Sequence, residues 1–250
     1  TSDLDIFGEK SLFAYINRTC TLGGINRLAK WLQYPEEAAT IPERAKALKE
    51  LNTSQDENLN FRASLFSLKA DDLQNLKNNL QNHIPHAIQF VKSKKANFMI
   101  WFLPLITFAI LAAALIFNGI LWSVFSLQLV FNFVAYNFYI KHINTAHQSL
   151  AKTGHTLQTL AKLIKNLELK SWQTPYLQKI IKALENPKGE QTHLQINQLA
   201  KIATNFDYRN NVLVGTVLNI FFCWDLRVIK ALYKWNAACL PTVLNSFDVV

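Results

Sequence analysis

The sequence predicts an all-α fold, multi-helical, with long helices and a central hydrophobic helical hairpin. Three observations predict it. Apolar side chains recur at steps of three and four along most of the chain. Seven glycines and seven prolines in 250 residues are too few for the turn chemistry of a β-sandwich or barrel. From Ala96 to Ile140 there is no Asp, Glu, Lys or Arg.

The elements follow in order. Thr21 is placed to cap a helix running to Tyr34 and stopped by Pro35, with Leu22, Ile25, Leu28, Ala29 and Leu32 at helical spacing. Ile41–Leu51 is a second helix, with Pro42 in its first turn. Leu73, Leu76, Leu80 and Ile84 form one stripe, which Pro85 is expected to interrupt. The charge-free run divides at Asn118–Gly119 into Phe98–Phe117 and Ile120–Ile140, each long enough as a helix to match a bilayer core of about 30 Å. Lys92, Lys94 and Lys95 precede the run and Lys141 follows it, so the positive-inside tendency puts both ends in the cytoplasm and the turn outside. Trp101, Trp122, Tyr136 and Tyr139 are spaced as an interfacial aromatic belt. The competing reading is a hairpin buried in a soluble helical domain. It draws on Pro104 and on the polar stripe Gln128, Asn132, Tyr136 and Tyr139, whose groups need partners.

Beyond the hairpin, Ala146, Leu150, Thr153, Leu157, Leu160, Ile164 and Leu167 make a heptad seam, predicting one long helix that Pro175 closes. Asn186 to Gly189 reads as a loop before a helix at Gln191–Phe206. Val212–Cys223 is apolar but short, and reads as a core helix. Asp225, Arg227 and Lys230 give the following stretch a polar side. The division expected is 1–95, a hydrophobic hairpin at 96–141, and 142–250.

Composition narrows function. Half the residues are hydrophobic and 17% are charged, which excludes intrinsic disorder. Three cysteines without a C-x-x-C exclude a disulfide scaffold and point to a reducing compartment. A net charge of +9 points to a polyanionic partner, nucleic acid or anionic lipid. Met99 is the only methionine, which predicts a piece of a longer protein. There is no phosphate loop, no G-x-S-x-G and no H-E-x-x-H. His83 and His86 flank Pro85 and are not expected to bind metal; His142 and His147 read as solvated. Cys20, Cys223 and Cys239 read as buried structural thiols. Glu36–Glu37 and Asp71–Asp72 sit where acidic groups complement helix starts. No catalytic, cofactor-binding or metal residues are predicted in this chain.

The opening nevertheless carries a specific pattern: Asp3-Leu-Asp-Ile-Phe-Gly8, Ser11-Leu-Phe13, Asn17-Arg-Thr19, Thr21, Gly24, Leu28-Ala29, Trp31-Leu32 and Pro35. Ile41, Glu43, Arg44, Ala47 and Glu50-Leu51 continue it. The pattern resembles the start of the core (lever) domain of MutS-family mismatch repair proteins. Asn210-Asn211, Trp224-Asp225-Leu226 and Trp235 look like later helices of a MutS-related subgroup with membrane-type hydrophobic segments. The resemblance covers residues 3–62 and 206–248. Ile25 and Asn26 depart from it, standing where relatives carry basic residues, with only Arg27 nearby.

The resemblance implies a non-catalytic lever that couples an ATPase domain outside this chain to DNA or partner binding. ATP and Mg are expected only in that ATPase domain. The expected partners are the parent's ATPase domain, duplex DNA bound weakly and without sequence preference, a membrane, and a second copy of the chain. The expected location is the cytoplasmic face of a bacterial inner membrane. The motif residues Asp5, Phe7, Gly8, Asn17, Arg18, Thr19, Thr21, Gly24, Arg27 and Trp31 are expected to be structural or to make weak phosphate contacts. Asp5 and Glu9 would favour a helix start, Thr19 and Thr21 would cap, and Trp31 would fill core. Arg18 would pair with Asp3, Asp5 or Glu9, or reach toward a phosphate. The alternative, in a different class, is a membrane-anchored helical scaffold unrelated to DNA; a third is a soluble partner-binding domain.

Overall fold

A computed structural model describes residues 5–35, 37–53, 55–66, 68, 70–117, 119–184 and 189–249. The fold is all-α and multi-helical, and among the described residues there is no strand. The chain forms two compact units, residues 1–75, 158–197 and 241–250 in the first, 76–157 and 198–240 in the second.

The first unit opens with a short helix, α1 (Leu12–Ile16), capped by Ser11, whose hydroxyl accepts from the Ala14 amide at 3.2 Å. In α2 (Leu22–Gln33) Thr21 Oγ1 accepts from the Gly24 amide at 3.1 Å, the cap the sequence predicts. Helices α3 (Thr40–Asn52), α4 (Gln55–Phe66) and α5 (Ala70–Asn78) follow. Leu65, Leu68 and Leu163 form a core cluster with Phe61, Leu73 and Cys20 against it. Later in the chain come α9 (Gly154–Leu169), α10 (Pro175–Lys182) and α11 (Thr192–Asp207), of which residues 158–197 belong to this unit.

Two carboxylates fix helix starts here. Glu50 of α3 accepts from the Gln173 and Thr174 amides, at 2.7 and 2.8 Å, where α10 begins. These amides hold its carboxyl below the ordinary value of 4.5. Glu168 of α9 accepts from the Thr192 amide at 2.7 Å and faces His193 Nδ1 at 2.6 Å, at the start of α11. Each supplies negative charge and acceptors to a helix end rich in unpaired N–H groups. Pro175, expected to close a helix, opens α10 instead, because a first-turn residue needs no N–H. Of the expected loop at Asn186 to Gly189, only Gly189 lies within the described residues.

The second unit begins with the later part of the stripe, Leu76, Leu80 and Ile84, and Pro85 does not break it. A π-helical turn at Asn79–His83 shifts the ladder, so Pro85 falls in the first turn of α6 (Ile84–Ile88). Leu76, Leu80 and Ile84 are fully buried. A 3₁₀ turn at Gln89–Lys92 leads into the hairpin, α7 (Lys94–Phe117) and α8 (Leu121–Leu150). Gly119 turns it with φ +70°, a left-handed conformation that glycine adopts readily; Asn118 lies outside the described residues.

Both hairpin helices are long and apolar enough to cross a membrane, and only 28% of α7's apolar window and 11% of α8's is buried within the chain. Within the chain, most of the hairpin's apolar surface is therefore left open.

Two expectations are corrected. The heptad seam is not one helix: α8 ends at Leu150, Lys152 takes φ +62°, and α9 starts at Gly154. Thr153 Oγ1 donates to the Leu150 carbonyl at the break. Ala146, Leu150, Leu157, Leu160 and Ile164 are still buried, so the seam's spacing reports burial correctly but not chain continuity. Helix α12 (Val212–Phe222) is not a core helix either. Only Gly215 and Asn219 of it are buried, while Val212, Leu213 and Val217 are exposed. At Cys223, in left-handed backbone, the chain turns by 78° into α13 (Trp224–Val249).

Candidate functional site

The residues that gather most chemistry lie inside the second unit, where α12 and the start of α13 meet the hairpin. Three residues of the polar stripe of α8 find hydrogen-bond partners here, while Tyr139 stacks on Phe90 with ring centroids 5.1 Å apart. Gln128 Nε2 donates to Asn132 Oδ1 at 3.0 Å, and Asn132 Nδ2 donates to Thr107 Oγ1 of α7 at 2.8 Å and to the Ile220 carbonyl of α12 at 2.9 Å. One turn along, the Tyr136 hydroxyl donates to Asp225 Oδ2 at 2.9 Å. Asp225 is fully buried, and Arg209 Nε stands 3.6 Å from the same oxygen. Arg209 Nη2 donates to Asn144 Oδ1 at 2.6 Å. This buried ion pair is only partly satisfied: Asp225 Oδ1 and Arg209 Nη1 have no hydrogen-bond partner among the described residues. Such a pair contributes little net stability but is costly to break from one side.

The chain is shaped to admit this cluster. A Cβ at Gly215 would lie 2.9 Å from Arg209 Cα, so only glycine lets the backbone of Arg209 lie against α12. Asn219 donates to the Gly215 carbonyl and accepts from the Asp225 amide at 2.9 Å, tying the end of α12 to the start of α13. Proline at position 104 has no N–H for the Ile100 carbonyl of the preceding turn. The Arg227 guanidinium donates to that carbonyl instead, at 3.3 Å.

Basic and aromatic side chains stack near the charged end of the hairpin. Arg227 and Lys230 sit over the Trp101 ring, 5.7 and 5.6 Å from its centroid, and Lys92 lies 5.8 Å from that of Tyr233. Lys230 Nζ also donates to Asn97 Oδ1 at 2.5 Å. His147 is not solvated as expected: it packs on the Phe206 ring and Nε2 lies 3.5 Å from Asp207 Oδ1. His142 is exposed beside Phe90.

The opening motif lies in the first unit and forms structure of its own. Asp5 and Glu9 do not start a helix. Asp5, at φ +44°, uses its carbonyl to accept from the Leu12 amide at 3.0 Å, closing a turn that includes Gly8 at φ +122°. Phe7 packs on Phe13 with ring centroids 5.6 Å apart. Asn17 Oδ1 accepts from both the amide and hydroxyl of Thr19, so Thr19 serves a side-chain turn rather than a helix cap. Arg18 donates to the Asn17 carbonyl at 3.0 Å, and Asp3 lies outside the described residues. Gly24 lies close to Thr19: a Cβ there would be 3.1 Å from the threonine Cβ. Arg27 is exposed. Trp31 does not fill core. It is 44% exposed, with the Arg44 guanidinium 4.5 Å from its ring centroid and Arg44 Nε donating to Tyr176 Oη.

A cleft of about 550 Å³ in the first unit is lined by Leu51, Asn58, Phe61, Asn166 and Trp172; beside it Lys170 pairs with Glu57 and sits over Trp172. Among the described residues no group of three His, Cys, Asp or Glu side chains converges to hold a metal. The three cysteines are free; Cys223 and Cys239 are buried as predicted, and Cys20 is half-buried. Around Asp225, hydrogen bonds and one ion pair tie the broken helix to the apolar hairpin.

The polar stripe was legible in the sequence as a set of groups needing partners. Nothing in the spacing of Arg209, Asn144 and Gly215 marks them in the sequence. Comparison with known proteins finds no matching family, no similar curated protein and no similar solved structure.

Proposed function

We propose that this chain is a non-catalytic, membrane-anchored helical lever, and that it couples an ATPase domain elsewhere in its parent to DNA or partner binding in the manner of a MutS-like core domain. The anchor is the hairpin, inserted with its lysine-flanked ends on the cytoplasmic face of a bacterial inner membrane. The lever element is α13, roughly 39 Å long at 1.5 Å per residue.

The observation that carries the reading is the lock between them. Asp225, in the first turn of α13, is held by Tyr136 of the hairpin and by Arg209. Coupling between distant sites needs a rigid element with a discrete seating, and a buried, partly satisfied ion pair provides such a seat. The MutS-like part of the proposal rests on the motif residues 3–51 and on Asn210, Trp224 and Trp235.

The test has two parts. The natural coding sequence beyond Val250 is expected to contain G-x-x-x-x-G-K-S/T in a strand–loop–helix context. ATP hydrolysis by the full parent in native membranes is expected to respond to duplex DNA, and to lose that response in D225N. A stop codon or further apolar spans beyond Val250 would instead favour a membrane scaffold unrelated to DNA.

A further inference from the structure

We infer that α12 and the start of α13 form a re-entrant membrane element: α12 enters the bilayer from the side on which the hairpin's ends lie, stops near mid-depth at Cys223, and α13 returns to the same side. The inference rests on the hairpin being membrane-inserted, and its occupant is the acyl-chain layer of one leaflet.

The hairpin supplies a depth scale. A short turn joins α7 to α8, so the two helices run antiparallel, and the Thr107–Asn132 bond sets their register, which puts Asn97 at the same end as His142 and Asn144. That end is flanked by Lys92, Lys94, Lys95 and Lys141. Helix α12 starts there, since Arg209, just before it, bonds Asn144. Its far end lies well inside. The Ile220 carbonyl accepts from Asn132, and the rings of Phe221 and Phe222 contact Phe108 at 6.2 and 5.5 Å, with Phe125 6.5 Å from Phe221. From Asn97 to Thr107 the rise is roughly 15 Å, half a bilayer core, and the 11 residues of α12 span about the same.

The return path is equally marked. Arg227 reaches the Ile100 carbonyl, Lys230 reaches Asn97, and Tyr233 lies under Lys92, in that order along α13. Each step moves back toward the lysines. A spanning pair would instead carry α13 toward Gly119.

Two properties suit the break to hydrocarbon. Backbone polar groups at a helix end inside a bilayer must find partners within the protein. Here Ile220's carbonyl takes Asn132, Asn219's carbonyl accepts from the Cys223 amide, and the Asp225 amide donates to Asn219. The outer face of α12 is apolar and open, with Val212 76%, Leu213 80% and Val217 53% exposed. It adjoins the exposed apolar faces of α7 and α8, against both of which α12 packs.

Single cysteines test this in sealed vesicles of both orientations, on a C20S background in which the remaining Cys223 and Cys239 are buried. The exposed positions used are Ile120→Cys at the hairpin turn, Asn210→Cys before α12, Leu213→Cys on its face and Lys234→Cys on α13. The probe is a membrane-impermeant maleimide, and carbonate-resistant recovery checks that each variant inserts. The expected result is labelling of positions 210 and 234 from one side, position 120 from the other, and at least tenfold slower labelling at 213 than at 210 until detergent is added. Labelling of 210 and 234 from opposite sides would overturn re-entry in favour of a span. Labelling at 213 as fast as at 210, with 120 still on the far side, would overturn it while leaving the inserted hairpin intact. Labelling of 120 from the same side as 210 would remove the membrane reading itself, and the inference with it.

Discussion

The Tyr136 hydroxyl donates to Asp225 Oδ2 at 2.9 Å, joining residues 89 positions apart and tying the hairpin to the helix that leaves it. Removing one member of the set leaves the others buried and short of partners. Tyr136→Phe is expected to cost about 1–3 kcal/mol, the usual penalty for an orphaned buried polar group. Asp225→Ala, which strands the Arg209 guanidinium, is expected to cost about 3–5 kcal/mol. Thermal unfolding of the detergent-solubilised chain checks both. Equal losses for the two variants would contradict the assignment of Arg209 as the partner charge.

Gly215→Ala puts a methyl group 2.9 Å from Arg209 Cα, a backbone atom that cannot swing aside. We expect destabilisation of about 1–3 kcal/mol, in the range of overpacked sites. Gly23→Ala is the control, since a Cβ there meets only a carbonyl oxygen at 3.9 Å. Alanine favours helix over glycine, so this variant should be neutral or stabilising. Chemical denaturation separates the two outcomes.

Glu50 makes stability pH-dependent. Its carboxyl is held below the ordinary 4.5 by the Gln173 and Thr174 amides. A folded-state value below the unfolded one adds stability that is fully present above about 4.5 and is lost as pH falls through the lowered value. Wild type should therefore be more stable than Glu50→Gln at pH 7, and the gap should close in acid. A gap unchanged between neutral and acid pH would show that the charge on Glu50 plays no part.

The chain carries a net charge of +9, with Lys and Arg in most of its helices. Duplex DNA should bind weakly and without sequence preference at low salt, with affinity collapsing between about 50 and 200 mM salt through counterion release. Fluorescence anisotropy with matched and mismatched duplexes measures it. A preference for mismatches beyond a few-fold would require base contacts or a wedge residue that the motif does not offer.

The sequence made helices legible wherever burial follows a period, and misled where backbone geometry overrides the pattern. Thr21 announces its helix because its hydroxyl is the acceptor that a helix start lacks. The heptad from Ala146 to Leu167 looked continuous because spacing carries no information about the left-handed backbone at Lys152. Pro85 and Pro175 read as stops, yet both sit in first turns, where the missing N–H costs nothing. The apolar character and short length of α12 point to a core helix, but its outer face lies open beside the equally open faces of the hairpin. At the candidate site, Asn132 and Tyr136 stood out as polar groups in an apolar run. Their partners Ile220 and Asp225 lie 88 and 89 positions away, beyond the reach of any local pattern. Trp31 is a further lesson: its aromatic bulk suggested core, but the Arg44 guanidinium covers it instead.

The central claim is that the hairpin anchors this chain in a bilayer, and alkaline carbonate extraction of membranes from cells expressing it tests that most directly. A charge-free run from Ala96 to Ile140 avoids the cost of about 2.5–3.5 kcal/mol that each central charge would add. The account predicts that the chain stays in the membrane pellet after the wash, and that Leu127→Lys together with Leu105→Lys, both on exposed faces of the hairpin, releases it. Recovery of the unaltered chain in the carbonate supernatant would contradict the account.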